Sequence, residues 1–450
     1  MPYPQPQDFF GEHPPARIIG TERECNIQLI GNLNPKDYIT PKVIRKAGYK
    51  SISGFLSNGQ NLDTDVNHIE VSTGEELGPK NGAAADTAAM LVVGKVVDAS
   101  GLVHDGIDAY TGSQQKNQEK TSGRHENYLM PRDIEGSDLF ESVMVSHLTS
   151  RIYGFSGIVR GQFELSQKVN GIGGEPITRT IERQTDHGNK PMAIIPPREW
   201  DEDVMGHQKW ARLEVRFADA GFSLTAKYLS LAATSLVLRL IEHPDIVDVE
   251  KLAQFSFANP VSTARRFNKD LTFTALAETD NGSKLSAINY QEMLADAASD
   301  LAERIELPED ERVAIPLWYE FNDELRKADL TKFEYGNLLQ MYDVAPLHYF
   351  LHKNFPGGRI QSDDDEVLAN FLLWYRMVPK GDGFKYWEAV GSPYVSERDV
   401  NDCVKLPAPT RAQARTSLIN RKVIKSCQWS GGYKQNDQFI SLGHPYDRRD

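Results

Sequence analysis

The sequence predicts an α+β protein, because strand-like segments cluster in its first half and helical patterns dominate its second. Two early segments, Ile18–Leu29 and Gly59–Ser72, are compatible with β-strands and carry carboxylates two residues apart. From about Leu285 to Arg376, apolar residues recur at helical spacing with polar breaks between them. With 450 residues and 40% hydrophobic content, the chain is long enough to bury one large core and a smaller unit beside it.

Further elements follow from the same patterns. The additional strands are predicted at His125–Met130, Gln162–Gln167 and Arg212–Phe217. The helices are predicted at Gly82–Val97, Asp138–Tyr153 and Leu224–Glu242. On the last of these strands, Glu214 and Arg216 share a face and are expected to pair as a structural salt bridge. Pro407 and Pro409 are expected to break the chain near the start of a small C-terminal unit.

The net charge and the hydropathy of the sequence restrict the kinds of molecule that the protein is expected to bind. A formal net charge of -13 argues against nucleic acid or an anionic membrane surface as the principal partner. The longest apolar run, Leu229–Ile241, is interrupted by Arg239 and is too short to span a bilayer. We therefore expect neither a nucleic-acid partner nor a membrane partner.

The cysteines and the N-terminal residues indicate the cellular compartment in which the protein is expected to work. Cys25, Cys403 and Cys427 are odd in number and lack ligand-like spacing, so neither a disulfide framework nor a zinc site is indicated. This cysteine usage favours a reducing cytoplasm. Residues 1–16 lack a basic segment followed by an apolar one and are interpreted as a flexible tail rather than a signal peptide.

The segment Asn58–Thr73 is the most informative part of the chain, since it carries three carboxylates and a histidine. In an extended strand, side chains alternate between faces, so Asn61, Asp63 and Asp65 are expected to share one face. Stacked acids repel each other. A folded protein tolerates such a pairing chiefly when a cation or a positively charged partner neutralises it.

A second pair of acids precedes this segment. Glu22 and Glu24 share a strand face by the same period of two. Together the two segments can supply oxygen ligands to hard divalent ions such as magnesium, which carboxylates hold jointly with substrate phosphates. The alternative interpretation is a pair of solvated edge strands, because charged residues on strands usually face water.

The chain resembles the family of Pup ligases and depupylases (deamidases of Pup), which are relatives of glutamine synthetase and other carboxylate-amine ligases. The matching motifs run in order from Arg17 to Trp429. They are Arg17–Glu24 (R-I-x-G-x-E-x-E), the group Asn58, Gly59, Leu62, Asp65, His68 and Glu70, the string His125–Leu129 (H-E-N-Y-L), Phe163–Gln167 (F-x-L-S-Q), Asn259–Thr272 (N-P-x-x-A-x-R with D-L-T) and Thr410–Arg415 (T-R-A-x-x-R).

Within this family the chain looks more like the depupylases. Its first strand, the segment His125–Met130 and the five-residue step from Asp65 to Glu70 are the features that resemble them. The long insertion that depupylases carry after the first strand is absent, since only a short stretch separates Ile27 from Asn58. The chain is therefore identified as a depupylase-like member.

The resemblance implies a fold. It implies a glutamine-synthetase-like large domain over residues 17–380, in which a curved, mainly antiparallel sheet packs on helices. It also implies a small C-terminal domain over residues 381–450 that contributes to the nucleotide pocket.

The resemblance also implies ATP and Mg²⁺ as cofactors and assigns roles to residues. Asp65 would be the catalytic carboxylate. Thr73, Trp429 and Arg411 would bind the nucleotide, with the tryptophan face offering an apolar stacking surface for adenine. The residues that would hold the metal are Glu22, Glu70, Asp63, Glu24 and Glu214.

Three departures from the family pattern change the site. Asn61 and Asp63 stand where the family has arginine and tyrosine, which removes a phosphate contact and adds an acidic ligand. Glu214 replaces the histidine of the family's R-L-H-V strand. We therefore expect the ATP half of the site to be retained and its acceptor half to have changed.

Three functions are compatible with this pattern. The leading hypothesis is an Mg-ATP enzyme that moves the γ-phosphoryl group to water or to an acceptor other than Pup, with Asp65 positioning or carrying the group. The second is an isopeptide ligase, depupylase or deamidase that acts on Pup or a Pup-like protein. The third is an inactive nucleotide-binding scaffold, for which so repulsive an acidic cluster has no obvious purpose.

Overall fold

The computed structural model describes residues 16–28, 39–65, 68–101, 108–111, 123–131, 134, 137–151, 157–159, 162–166, 169, 182–183, 192–195, 210–359 and 382–442. The tail predicted over residues 1–16 lies outside them except for its last residue. The helical pattern expected up to Arg376 is described as far as Arg359.

The strands of the described residues are numbered here in chain order. They are β1 (Ile18–Gln28), β2 (Ser51–Ile52), β3 (Phe55–Leu56), β4 (Asn61–Asp65), β5 (His68–Ser72), β6 (Glu76–Leu77), β7 (Asp108–Thr111), β8 (Arg124–Pro131), β9 (Gly157–Val159), β10 (Gln162–Glu164), β11 (Glu182–Arg183), β12 (Met192–Ile195), β13 (Trp210–Ala218), β14 (Ala277–Glu278), β15 (Lys284–Leu285), β16 (Ser426–Gln428), β17 (Gly431–Tyr433) and β18 (Phe439–Ser441).

The α-helices of the same residues are numbered likewise. They are α1 (Pro41–Lys46), α2 (Gly78–Ser100), α3 (Asp138–Ser150), α4 (Leu224–Glu242), α5 (Val249–Gln254), α6 (Pro260–Lys269), α7 (Ala287–Ala302), α8 (Glu309–Lys327), α9 (Asn337–Gln340), α10 (Val344–Asn354), α11 (Asp382–Val390), α12 (Glu397–Lys405) and α13 (Arg411–Asn420).

A large, mainly antiparallel sheet forms the centre of the fold. Its strand order is β11-β12-β13-β8-β1-β5-β4-β3-β2, and β6 and β7 pair with β1 as well. Strand β1 is therefore an interior strand that lies between β5 and β8. The interpretation of the two acidic segments as solvated edge strands is wrong for β1, because its backbone is paired on both sides.

The sequence predicted one strand-like segment over Gly59–Ser72, but in the structure this segment is not one continuous strand. It forms two antiparallel strands, β4 and β5, whose register pairs Asp63 with Glu70 and Leu62 with Val71. The chain reverses so that Leu62 and Val71 are both buried against the core, which a single strand of this length could not achieve. This reversal makes Asp63 and Glu70 cross-strand neighbours.

Helices α2 and α4 cover one face of the sheet. Helix α4 occupies the predicted range, whereas α2 and the shorter α3 differ from their predictions by a few residues at the ends. The two covering helices approach closely at Gly82, where an added Cβ would lie 3.0 Å from Cδ1 of Leu231. Helix α4 has the length and hydropathy of a membrane span, but it is completely buried inside the protein. By its burial it is a core helix.

Charged side chains of the sheet that point toward these helices form buried ion pairs. Arg23 Nη2 lies 2.6 Å from Oδ2 of Asp86 on α2, and Lys227 Nζ on α4 lies 3.1 Å from the same oxygen. Arg124 also contacts Glu126. All five side chains are fully buried. Burial lowers the pKa of Lys227 to about 7 despite the nearby Asp86, since Arg23 and Arg124 also oppose its charge.

The C-terminal part consists of α11 to α13 and a separate sheet, β16-β17-β18. Helix α12 ends at Lys405 and α13 begins at Arg411, so the chain break predicted at Pro407 and Pro409 is confirmed. The hydroxyl of Thr410 caps α13 by accepting from the backbone N–H of Ala412. Helix α13 and this sheet pack against Phe55 of β3, whereas α11 and α12 contribute Phe384, Val400 and Val404 to the main core.

Candidate active site

The sheet face opposite α2 and α4 carries a row of acidic side chains on three adjacent strands. The register pairs Asp63 of β4 with Glu70 of β5, and Glu70 with Glu24 of β1. Glu22 lies two residues from Glu24 on the same face of β1. We call these four residues the acidic row. The predicted convergence of the two acidic segments is confirmed.

Alternation along β1 explains why this row forms. Glu22 and Glu24 keep 15% and 13% of their side chains exposed, whereas Arg23 and Cys25 between and beyond them are completely buried. The period of two thus sends carboxylates to one face and core residues to the other. Strand β4 repeats the pattern, with Leu62 buried and Asp63 exposed.

At the Glu22 end of the acidic row, side chains from three strands lie close together. The Nδ1 atom of His125 on β8 lies 3.3 Å from Oε2 of Glu22 and 3.3 Å from Oε1 of Glu214 on β13. His125 is the direct register partner of Glu22 across β1 and β8. We call Glu22, His125 and Glu214 the Glu-His-Glu cluster.

Each carboxylate of this cluster is held by a further polar group. Asn127 donates to Oε1 of Glu22 at 3.4 Å, and Arg212 Nη1 lies 3.6 Å from the same oxygen. Arg216 Nη2 donates to Oε2 of Glu214 at 3.0 Å, which confirms the predicted salt bridge. These bonds hold the oxygen of each carboxylate that faces away from His125, and so orient the oxygen that faces it.

The electrostatics of the cluster follow from its burial and charge. Burial would lower the pKa of His125, but hydrogen bonds with Glu214 and Glu22 raise it to about 10. Burial would likewise raise the pKa of Glu22 and of Glu214, but the hydrogen bond with His125 holds both below their usual range. Without a metal, the imidazolium therefore neutralises part of the charge.

The donor set fits a divalent cation. One ligand atom each from Glu22, His125 and Glu214 lies within 4.8 Å of the others, and no other such His/Cys/Asp/Glu group is found among the described residues. Carboxylates of the acidic row extend the oxygen donors along the face toward β4. Such oxygens are the ligands that hard divalent cations prefer.

The residues predicted to bind the nucleotide lie at the junction with the C-terminal part. Arg411 donates to Oε1 of Glu75 from Nε at 3.1 Å and from Nη2 at 3.0 Å. Arg415 Nη2 donates to Oε2 of the same carboxylate at 2.8 Å. Burial would raise the pKa of Glu75, but Arg415 and Arg411 lower it to about 2.

Trp429 lies against this junction. Its ring meets that of Phe55 edge-on, with centroids 4.9 Å apart. The Arg415 guanidinium lies 4.8 Å from the centroid of each of these two rings. Strand β3 of the large sheet and the C-terminal sheet are thereby held together around one buried arginine.

Thr73 is buried at the end of β5, directly after the strand that carries Glu70. Its hydroxyl accepts from the backbone N–H of Thr21 at 2.8 Å and donates to the carbonyl of Gly74 at 3.2 Å. These bonds fasten the end of β5 to β1. The assignment of Thr73 to the nucleotide stays a prediction, as do those of Arg411 and Trp429.

Asp65, the predicted catalytic carboxylate, is the last residue of β4 and the register partner of His68. The structure describes its backbone, and its side chain lies outside the described part. Asn61, which stands where the family has arginine, begins the same strand and pairs with Ser72. Both residues belong to the strand that carries Asp63.

Sequence reasoning missed two members of this region. His125 was matched only as part of a string, although its period-two spacing with Asn127 could have marked a polar strand face. Glu75 was not singled out, yet it joins both arginines of the T-R-A-x-x-R motif to the large sheet. An acid that lies opposite a paired-arginine motif leaves no local pattern by which to find it.

One family motif makes local hydrogen bonds around α6 in this chain. Asn259 caps α6 by accepting from the backbone N–H of Ser262 at 3.1 Å. Asp270 accepts from the backbone N–H groups of Thr272 and Ala275. The motif therefore begins and ends α6 and shapes the loop after it.

Comparison with known proteins bears directly on these features. The family model described as "Pup-ligase protein" matches residues 21–431. The Pup--protein ligase of Paenarthrobacter aurescens is 26% identical over 436 residues, which cover 90% of this chain and 89% of the relative. That of Kribbella flavida is 30% identical, with 71% of each chain covered. A protein named Depupylase from Acidothermus cellulolyticus is 29% identical over 53% of this chain and 46% of its own.

Solved structures agree in fold. The Pup ligase PafA in complex with Pup superimposes with a TM-score of 0.76 at 19% identity, over 97% of this chain and 90% of the other. The structure of PafA with ADP gives a TM-score of 0.71 at 19% identity, over 94% and 93% of the two chains. The predicted α+β fold and the family resemblance are both confirmed. The chain belongs to the Pup-ligase family.

Proposed function

We propose that this protein is an ATP-dependent enzyme that transfers the γ-phosphoryl group of ATP. The observation that carries this proposal is the acidic row, which aligns Asp63, Glu70, Glu24 and Glu22 across adjacent strands. An array of like charges is destabilising unless cations bind it. Support comes also from a family member solved in complex with ADP.

The acidic row and Glu214 would hold Mg²⁺. When bound, the ion would offset the charge on the β- and γ-phosphates. The chain's own contribution is to fix these carboxylates on paired strands, so that little reorganisation is required when the nucleotide arrives. Glu24 illustrates this, since it accepts a 2.6 Å hydrogen bond from the backbone N–H of Gly123.

Thr73, Trp429 and Arg411 would bind the nucleotide itself. The Trp429 ring would stack on adenine, and its orientation is set by Phe55 and Arg415. Arg411 would act from the junction that Glu75 fixes. Glu75 would support this role, because its ion pairs with Arg411 and Arg415 join α13 to the segment that follows β5.

Asp65 would position or carry the transferred group. It lies on β4, two residues beyond Asp63, and strand alternation supports a position beside the Asp63 end of the acidic row. In this role its carboxylate would orient the attacking acceptor or remove a proton from it.

We assign the acceptor to water or to a molecule other than Pup. Glu214 replaces a family histidine, and its carboxylate is engaged by Arg216 and His125. Asn61 replaces a family arginine. Glu214 lies on β13, separated from β3 and the proposed adenine pocket by β8, β1, β5 and β4, so its change supports an altered acceptor side, whereas Asn61 pairs with Phe55 beside Trp429.

The second candidate is isopeptide chemistry, in which an amide between a carboxylate side chain and a lysine is made or cleaved. The relatives named Pup--protein ligase and Depupylase favour it. In ligation, ATP would activate the carboxylate as an acyl phosphate, and Asp65 would take a proton from the incoming amine.

One set of assays separates these candidates. Purified protein is incubated with magnesium and ATP that is radiolabelled in its γ-phosphate, with and without Pup, and phosphate release and protein conjugates are measured. We expect phosphate release without Pup, loss of release in Asp65→Asn, and normal release in the exposed control Asp98→Asn. Pup-dependent conjugates or cleavage would establish the second candidate instead. No release and no labelled acceptor under either condition would refute the proposed transfer.

A further inference from the structure

Helix α10 carries two histidines that belong neither to the acidic row nor to the Glu-His-Glu cluster. His348 and His352 are four residues apart, so their side chains lie one above the other on the same helix face. Their ring centroids are 4.2 Å apart, with the ring planes inclined at 44°. His348 is buried, with 1% of its surface exposed, whereas His352 is exposed. We call these two residues the histidine pair.

The buried member of the histidine pair has an unsatisfied nitrogen. Among the residues that the structure describes, Nδ1 of His348 is buried without a hydrogen-bond partner. The ring packs against those of Phe163 and Phe333, with centroids 5.0 and 5.1 Å from its own, and neither phenyl ring carries a hydrogen-bonding atom. Buried polar atoms in native proteins are nearly always bonded, so this nitrogen indicates a position for a ligand.

The exposed member is held in a defined orientation. Nδ1 of His352 lies 3.0 Å from the backbone carbonyl oxygen of His348. A carbonyl oxygen can only accept, so Nδ1 of His352 carries the hydrogen and Nε2 of the neutral ring keeps a lone pair. Proteins commonly orient a metal-binding imidazole in this way, by a bond from its other nitrogen to a backbone carbonyl.

A glycine fixes the same ring from one side. A Cβ added at Gly358 would lie 2.4 Å from both Cε1 and Nε2 of His352 and 2.7 Å from Cδ2. These nearly equal distances place Gly358 over the face of the ring, which leaves the edge at Nε2 free of it. Gly358 has a φ of +64°, a conformation that favours glycine. Phe333 meets the ring at 85°. The lone pair of Nε2 is therefore held in one direction.

The spacing of the two rings indicates the geometry of the ion. An ion about 2.0 Å from one nitrogen of each ring lies about 3 Å from each ring centroid. Ligands at a right angle then place the centroids about 4.5 Å apart, and tetrahedral ligands place them about 5 Å apart. The observed 4.2 Å is closer to the right angle. Square-planar and tetragonal sites with nitrogen ligands are typical of Cu²⁺ and Ni²⁺.

We propose that His348 and His352 form a chelating site for a tetragonal divalent transition-metal ion, Cu²⁺ or Ni²⁺, through Nδ1 of His348 and Nε2 of His352. The site lies on one helix and uses no residue of the large sheet, so it does not depend on the proposed phosphoryl transfer. Its bound ion would join two successive turns of α10 and stabilise the end of this helix.

The first test uses the full-length protein with one equivalent of Cu²⁺ and an excess of Mg²⁺ to occupy carboxylate sites. Electron paramagnetic resonance should show Cu²⁺ coupled to two nitrogen atoms. His352→Gln, at an exposed position, should remove this two-nitrogen signal and weaken Cu²⁺ binding at least about tenfold. His243→Gln, which removes an imidazole at the end of α4, is the matched control and should leave the signal unchanged. His125→Gln should also leave it unchanged, which separates this site from the Glu-His-Glu cluster.

A second measurement reports on the folded protein directly. Ni²⁺ should raise the melting temperature of the wild-type protein and of His243→Gln but not that of His352→Gln, because an ion that binds only the folded state stabilises it. A two-nitrogen signal that survives in His352→Gln or is lost in His125→Gln would overturn the proposal. Coupling to one nitrogen or to none in the wild-type protein would also overturn it, since it would show adventitious binding only.

Discussion

On the helix-covered face of the sheet, Arg23 and Arg124 are completely buried and pair with Asp86 and Glu126, whereas on the opposite face Glu22 keeps 15% of its side chain exposed. These side chains alternate along the same two strands. Charges that face the helices pair with opposite charges, while on the other face the carboxylates of Asp63, Glu70 and Glu24 are register neighbours of one another. The first face uses charge for structure, and under the proposed function the second would use it to hold a cation.

The largest expected effect comes from breaking the buried pairs. Asp86→Asn leaves Arg23, Lys227 and Arg124 close together without their shared carboxylate. We expect the free energy of unfolding to fall by about 3–5 kcal/mol, because an uncompensated buried charge remains. Urea denaturation measures this change, with the exposed Asp98→Asn as control. A loss below about 1 kcal/mol would show that the covered face does not depend on this pairing.

Glu75, at the junction between the large sheet and the C-terminal part, should make the free energy of unfolding depend on pH. The folded pKa of Glu75 is about 2, below its ordinary value of 4.5, so its contribution to stability is complete above pH 4.5. The contribution is lost as the pH falls toward 2, and it amounts to about 3 kcal/mol at most. The stability difference between the wild-type protein and Glu75→Gln should therefore disappear between about pH 5 and about pH 2.

Thermal unfolding across that pH range checks the effect, and the exposed Glu278→Gln serves as control. A difference that stays constant with pH would mean that Glu75 is not ionised against Arg411 and Arg415 in the folded protein.

For the acidic row, we expect a substitution to change activity rather than stability. Glu70→Gln removes one carboxylate that would hold the cation, so we expect ATP-dependent phosphate release to fall about 100-fold. Its free energy of unfolding should change by less than about 1 kcal/mol, because a repulsive neighbour of Glu24 and Asp63 is neutralised. Steady-state kinetics and urea denaturation of the same preparation measure both. A large loss of stability with unchanged kinetics would reverse the assignment of the two faces.

The smallest expected effect is a gain in stability when one carboxylate of the acidic row is neutralised. Asp63 is exposed and lies opposite Glu70 in the register of β4 and β5. Asp63→Asn should raise the stability of the metal-free protein by about 0.2–1 kcal/mol, since it removes a like-charge pair and keeps the bond to the Thr64 N–H. Differential scanning calorimetry in a chelator detects this gain. Destabilisation by the same substitution would indicate that Asp63 has a structural partner.

Part of the fold and site could be predicted from local patterns alone. The helix Leu224–Glu242 follows from its apolar spacing and its Ser223 cap, and β1 follows from alternation. The hairpin of β4 and β5 could not be predicted in this way, because both strands carry the same alternating pattern and the reversal depends on how they pack. The Glu75 pairs likewise join residues more than 330 positions apart in the chain.

By itself, the sequence determined which residues share a face, because side-chain alternation in a strand is a local property of the backbone. It also determined the family, through motifs that keep their order along the chain. Only the tertiary structure decided which faces meet, since strand order and register bring Glu22, His125 and Glu214 together from three distant segments. The packing of α2 and α4 decided the rest, because it buries one set of charges and leaves the acidic row on the opposite face of the sheet.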